Sequence, residues 1–205
     1  NEQGRCGACY AFAGMAAVEA QIVIHKNEYY YLSEQYAMDC TRKFSEPWNN
    51  GCGGGYASVV FDWLLSSERG ILRGADYQYT GNNQGDCPSP STEELFRIKC
   101  FRAFFSKDEE LLRKLVFEFG PMPTGLYSKN EDLHLYKKGI YDNQDCKGKP
   151  DHEILTVGYG IEQSKKYWII RNSWGKDWGM DGYFHLQRGV NICGFPYRLT
   201  WVQIQ

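Results

Sequence analysis

From Ala8 to about His25, the residues Ala11, Met15, Val18 and Ile22 recur at spacings of three and four, with Phe12 and Ala16 beside them. That spacing lays an apolar stripe along a helix and predicts a buried helical segment with Cys9 in its first turn. A second helix is predicted from Ala57 to Ser67, where Val60 and Leu64 share a face and Gly70 follows the end. A third has a marked start: Ser106 to Glu109 forms a capping-box pattern, Leu111, Leu112, Leu115 and Val116 make the apolar face, and Gly120-Pro121 stops it. After Pro121 the texture changes to short runs, Ile154 to Tyr159, Tyr167 to Arg171 and Gly182 to Gln187, rich in β-branched and aromatic residues and predicted as strands. Tyr77 to Thr92 carries Gly, Asn, Pro and Ser and few apolar residues, and reads as a long surface loop tied down by Cys87. An α-rich half therefore precedes a β-rich half, with no internal repeat and no low-complexity tract.

Composition narrows the class. With 42% hydrophobic, 16% aromatic and 23% charged residues among 205, the chain is neither disordered nor collagenous. Its length admits one large domain or two packed subdomains. Lys plus Arg is 23 and Asp plus Glu 25, and a net charge of −2 gives no electrostatic reason to expect nucleic acid or an anionic membrane as partner. No apolar run approaches the ~18 residues of a membrane span.

Eight cysteines change the picture further: Cys6, Cys9, Cys40, Cys52, Cys87, Cys100, Cys146 and Cys193. A zinc site would want a CxxC pair matched by another CxxC or an HxxxH, and Cys6 to Cys9 is the one CxxC. A thioredoxin-like redox pair would follow the first strand of a βαβ unit, and no strand-like run precedes Cys6. Scattered single cysteines fit disulfides formed in an oxidising compartment, so secreted, lysosomal or vacuolar localisation is expected, with no metal and no cofactor.

The segment Cys6-Gly7-Ala8-Cys9-Tyr10 fits the pattern C-G-[SA]-C-[WY], and further blocks follow in order: Asn50-Gly51-Cys52-Gly53-Gly54-Gly55-Tyr56, Gly120-Pro121, Tyr136 to Tyr141, Asp151-His152, Val157 to Gly160 and Tyr167 to Gly175. On these residues, over essentially its whole length, the chain resembles the papain-like cysteine proteases. The residues also make physical sense together. A cysteine attacks as its thiolate, which a helix N-terminus and a nearby imidazolium both stabilise. Cys9 has the first by position, and His152 can supply the second. His152 follows Cys9 by about 140 residues, inside the family window of roughly 130–150, and Asn172 lies slightly beyond it. An amide such as Asn172 can accept the imidazole's other N–H and hold the ring oriented.

The resemblance implies an α+β, two-subdomain fold: a helical half over residues 1–104 carrying the nucleophile, and a β-barrel-like half over residues 105–205 carrying His152 and Asn172. The C-terminal tail would return to the helical half, with the active site in the cleft between the two. It implies that Gln3 and the Cys9 N–H form the oxyanion hole and that Trp174 shields the His152–Asn172 hydrogen bond. Gly54, Gly55, Tyr56, Ala57, Gly125, Asp151, Glu153 and Arg198 would contact substrate, the glycines by letting an extended peptide approach the backbone. Arg198 and Glu153 would face the second substrate residue before the scissile bond, a basic and an acidic group where apolar walls are common.

By the same resemblance Cys6 pairs with Cys52, Cys40 with Cys87 and Cys146 with Cys193. Cys9 stands apart as the nucleophile, and Cys100 is either buried as a thiol or bridged to another molecule. His25, His134 and His185 show no such context and receive no role. Tyr10 stands where the family usually has Trp, Ala13 where Ser is common, and Glu153 where a small residue follows the catalytic His. The sequence also opens just before Gln3, where mature domains of the family usually carry a longer, Trp-containing stretch, which implies an incomplete chain or an unusual processing site.

The expected activity is that of a cysteine endopeptidase acting through a Cys9 thioester with His152 as acid and base. The alternatives are a catalytically silent homologue that binds peptides or inhibitors, and an exopeptidase of the same family; no large His-containing insertion lies between Cys52 and Tyr77 to block one end of a cleft. Expected partners are protein or peptide substrates, the chain's own propeptide and cystatin-like inhibitors, with no nucleic acid and no membrane, and the expected state is a monomeric enzyme derived from a zymogen.

Overall fold

The computed structural model describes residues 2–42, 44, 48–67, 69–88 and 96–205. Asn1 and Thr92, which bound the expected helical half and the expected loop, lie outside them. Gln3–Arg102 with Trp201–Gln205 form one compact unit, and Ala103–Thr200 with Glu2 form another.

The first unit is built on α1 (Cys9–Lys26). Burial here is not confined to a stripe, because every residue from Cys9 to Val18 is buried. Small side chains on several faces allow this: a Cβ on Gly14 would lie 3.4 Å from the Cβ of Ala57. Around α1 stand α2 (Glu34–Arg42) and α3 (Ala57–Ser66). The sequence pattern finds α3 and misses α2, whose buried set includes Glu34, Gln35, Asp39 and Thr41. Those polar groups are buried because they are used. Gln35 Nε2 donates to Asp39 Oδ2 and to the Asn82 carbonyl, both at 2.8 Å, and Asp39 accepts from Tyr77 Oη at 3.0 Å and the Gln84 amide at 3.1 Å. The irregular segment from Tyr77 is thus fastened to α2 by hydrogen bonds as well as by the Cys40–Cys87 disulfide.

Strand β1 (Ile98–Phe105) carries the chain into the second unit. There follow α4 (Glu109–Phe119), β2 (Met122–Leu126), a single helical turn α5 (Glu131–His134), β3 (Ile140–Tyr141), β4 (His152–Glu162), β5 (Lys165–Arg171), β6 (Tyr183–Gln187) and β7 (Arg198–Ile204). Within this unit the strands run in the order β7-β2-β4-β5-β6-β3, antiparallel except for the β3–β6 pair. The expected barrel is therefore corrected to an open mixed sheet. The two-residue strand β3 ends the sheet on one side and does not return to close it. The three strands predicted from β-branched and aromatic runs lie within or overlap β4, β5 and β6.

The predicted capping box is also corrected. Asp108, not Ser106, caps α4, its carboxylate accepting from the amides of Glu110 and Leu111. Glu109 turns inward instead. Its Oε2 accepts from Trp168 Nε1 and the Gly189 amide and its Oε1 from the Asn191 amide, each at 2.7 Å, with Trp168 fully buried. A carboxylate that meets three N–H donors in the interior fixes α4 against β5 and the turn after β6.

Disulfides Cys6–Cys52, Cys40–Cys87 and Cys146–Cys193 are formed, and the half-buried Cys100 thiol lies 3.4 Å from Gln203 Oε1. Glu109→Gln turns one of the two acceptor oxygens into a donor facing an N–H. It is expected to lower stability by about 2 kcal/mol, the cost of leaving one buried polar group unmatched. Urea unfolding followed by circular dichroism measures it.

Candidate active site

In the helical unit, Cys9 is the first residue of α1, after Ala8, whose side chain offers no cap. The amides of the first turn have no carbonyl four residues back, so they and the helix dipole present partial positive charge where the thiol sits. The thiol is buried and outside the three disulfides. The turn before it is held closely: the Gly7 amide donates to the Cys52 carbonyl at 2.9 Å, and a Cβ on Gly7 would lie 2.7 Å from that oxygen. This close approach is why glycine stands between Cys6 and Ala8. Tyr10 is fully buried and satisfies its hydroxyl on the Gly51 carbonyl at 3.3 Å; burial pushes its pKa upward.

Gln3 is buried in the same unit. Its Nε2 donates to the Cys6 carbonyl at 2.9 Å, while its own carbonyl accepts from Tyr79 Oη at 2.8 Å, which holds side chain and backbone in one orientation. Tyr79 has its pKa pushed up to about 12, by burial first. Gly55 is packed against Asn49, whose Oδ1 would lie 2.4 Å from an added Cβ and accepts the Tyr56 amide at 2.7 Å. Gly54 beside it has open space where a Cβ would stand. Tyr56 is partly exposed and Ala57 is buried at the start of α3.

In the sheet unit, His152 opens β4, and Asn172 follows the end of β5. The antiparallel register pairs Leu155 with Arg171, which carries Asn172 alongside the first residues of β4. His152 Nε2 and Asn172 Oδ1 are 2.8 Å apart, with both residues only 8% exposed. A carboxamide oxygen only accepts, so Nε2 is the nitrogen that carries hydrogen, and Nδ1 is the basic nitrogen of the neutral ring. The same Oδ1 accepts the Ser173 amide at 2.8 Å, and the Asn172 amide donates to the Gly182 carbonyl at 2.9 Å.

The His152 pKa lies below the usual imidazole range. Burial is the main cause and a charge on His134 adds to it, against the opposing effects of the Asn172 hydrogen bond and the Asp151 carboxylate. Asp151 itself is directed to the neighbouring turn, its Oδ1 accepting from the Ser128 amide at 2.8 Å and from Ser128 Oγ at 3.0 Å, with Lys129 Nζ 3.4 Å from Oδ2.

Trp174 packs against the His152 ring, centroids 5.2 Å apart, and stands edge-on to Trp178 at 4.9 Å. Glu153 is buried and pairs across the sheet with Gly125. The next pair on that strand's other side is Thr124 with Leu199, so Glu153, Gly125 and Arg198 occupy one row across β4, β2 and β7. Glycine in the middle leaves no side chain between the outer two. The Arg198 guanidinium lies 5.0 Å from the centre of the Phe105 ring. His134, to which the sequence pattern assigned nothing, stacks on Trp174; no local spacing announces a contact made between a short turn and a distant loop. Among the described residues no group of three or more His, Cys, Asp or Glu could hold a metal ion, and no helix is long and apolar enough to cross a membrane.

The family model described as papain family cysteine protease matches residues 1–201. Pro-cathepsin H of Bos taurus is 36% identical over 195 residues, 94% of this chain and 56% of that protein. Cysteine proteinase 1 of Entamoeba histolytica is 36% identical over 199 residues, covering 94% of this chain and 61% of the relative. The structure of digestive procathepsin L 3 from Tenebrio molitor larval midgut superposes with a TM-score of 0.90 at 29% identity, over 99% of this chain and 65% of that one. The chain thus spans less than two thirds of the length of these relatives.

Of the groups around His152, the Asn172 side chain and the Asp151 charge favour its protonated form. Asn172→Ala is therefore expected to lower the His152 pKa further, because burial then acts with less opposition. Nitrogen-15 NMR titration of the imidazole reads the direction.

Proposed function

The chain belongs to the papain family of cysteine proteases, and from that membership we propose that it hydrolyses peptide bonds within proteins, with Cys9 as nucleophile and His152 as acid and base. The observation that carries the reading is the buried His152 Nε2 to Asn172 Oδ1 hydrogen bond, which makes Nδ1 the nitrogen that exchanges protons. The position of Cys9 at the N-terminus of an eighteen-residue helix supports its role as a thiolate.

In the proposed reaction the Cys9 thiolate adds to the scissile carbonyl carbon. The oxygen that becomes negative takes hydrogen bonds from Gln3 Nε2 and the Cys9 amide. The imidazolium of His152 gives its proton to the amide nitrogen, the C–N bond breaks, and an amine and a thioester remain. His152, now neutral, takes a proton from water as its oxygen adds to the thioester carbon. The C–S bond then breaks, releasing acid and returning the thiolate and imidazolium. Trp174 keeps water from the His152–Asn172 bond, and Gly54, Gly55, Tyr56, Ala57, Gly125 and Asp151 meet the substrate. The open face of Gly54 supports backbone pairing with an extended peptide.

Three disulfides support maturation in an oxidising compartment, secreted or lysosomal. The names of the procathepsin relatives support a zymogen with its own propeptide.

Two sets of variants test this. Cys9→Ala removes the nucleophile and is expected to leave less than about 1% of the activity on a fluorogenic peptide, in a chain whose circular dichroism is unchanged, since alanine suits a first helical turn. His152→Ala should cost nearly as much, and Asn172→Ala less, because orienting a base contributes less than the base itself. A Cys9→Ala protein that keeps a tenth of wild-type kcat/KM would refute the assignment.

Specificity follows from the row of Glu153, Gly125 and Arg198. We assign Glu153 and Arg198 to the second substrate residue before the scissile bond, where two opposite charges favour polar or acidic side chains over large apolar ones, which would strip water without replacing hydrogen bonds. Arg198→Ala is expected to raise kcat/KM for Leu or Phe there and lower it for Glu, a net change of about 1 to 3 kcal/mol in preference. A peptide-library profile already dominated by Leu and Phe, and unaltered by the substitution, would remove Arg198 from that position.

A further inference from the structure

Trp174 carries two imidazoles. The His134 ring lies flat on the indole, with centroids 4.5 Å apart and planes 9° apart, and the His152 ring lies against the same indole at 5.2 Å and 29°. The turn that bears His134 is tied to the cluster a second time, its carbonyl accepting from Trp178 Nε1 at 3.0 Å while Trp178 stands edge-on to Trp174. His134 is exposed, so its ring could turn to solvent. Holding it parallel to an indole costs rotamer freedom that the stacking contact must offset.

We propose that His134 is a positioning residue for the reaction assigned to His152: its ring, flat on Trp174, braces that indole against the His152–Asn172 pair and sets a second imidazole on the indole that His152 touches. The inference rests on the reading of His152 as acid and base. The two stacking distances keep the imidazoles within about 10 Å of one another, roughly one Debye length at 0.1 M salt, and the indole that touches both displaces water that would screen them.

A cation on His134 therefore acts in the same direction as burial on His152, and against Asn172 and Asp151. In the reaction a charged His134 makes His152 a stronger acid toward the leaving amine and a weaker base toward water.

Other charges surround the pair. Glu131 and Asp132 share the turn with His134, Asp132 accepting from Asn143 Nδ2 at 2.6 Å, and Lys137 and Lys138 follow. Asp151, with Lys129, and Glu153 flank His152 along the chain. Glu2 bridges to the backbone of Trp174, and Lys176 and Asp177 lie between the two indoles in sequence. All of them remain when His134 alone is replaced.

The test is the NMR titration of His152 in a Cys9→Ala background, compared with that background carrying His134→Phe, which keeps a flat ring without charge, or His134→Gln, which keeps neither. Both substitutions are expected to move the His152 midpoint upward by several tenths of a pH unit and to leave a single-step curve. The Trp174 indole resonance should move more in His134→Gln than in His134→Phe. Curves that coincide in all three proteins would overturn the inference, as would an upward shift in His134→Gln alone. Because the background hydrolyses nothing, the two readings fail separately: a shifted titration in a chain whose Cys9 form has no peptidase activity leaves the coupling standing, and an active enzyme with an unmoved titration removes it.

Discussion

A buried imidazole must place its N–H on an acceptor, and the His152 to Asn172 hydrogen bond is where the sheet unit meets that demand. The strand register exists in service of it. Leu155 opposite Arg171 brings the residue after β5 beside the residue that opens β4, and the Asn172 amide, bound to the Gly182 carbonyl, fixes the loop from the other side. One carboxamide oxygen then serves both the imidazole and the Ser173 amide, so the ring cannot rotate without breaking a shared acceptor.

The ring's protonation is a contest of named groups. Burial and the His134 charge disfavour the imidazolium, while Asn172 and Asp151 favour it. Those neighbours set its protonation, which matters for a group proposed to give a proton in one step and take one in the next. In the helical unit the start of α1 and the interlock of Gly7 with Cys52 hold the thiol without a side-chain cap that would compete for the first-turn amides.

Motif order along the chain singled out Cys9, His152, Asn172 and Gln3, and of these the structure brings the His152 and Asn172 side chains to 2.8 Å of one another. Apolar spacing made α1 and α3 legible as well. It failed at α2, where burial is earned through hydrogen bonds of Gln35 and Asp39, and polar residues look like surface to any pattern of hydrophobicity. It failed at β2, Met122–Leu126, where Pro123 and Gly125 read as breakers although all five residues are buried. Glu109 fitted the local grammar of a cap and instead served Trp168, Gly189 and Asn191 far along the chain. His134 had no signature, since its contact with Trp174 exists only after folding. Local rules succeed where the partner is local, and tertiary contacts decide the rest.

The proposed ionisation of the Cys9 thiol with the help of His152 is read by the rate of its alkylation by iodoacetamide against pH. Only the thiolate reacts, so the profile reads its population without any substrate. Cys9 is expected to react rapidly at pH 5, much faster than Cys100, and in His152→Ala the rise in its reactivity is expected to move to higher pH, with the helix N-terminus alone left to stabilise the thiolate. A wild-type profile that coincides with that of His152→Ala would contradict it.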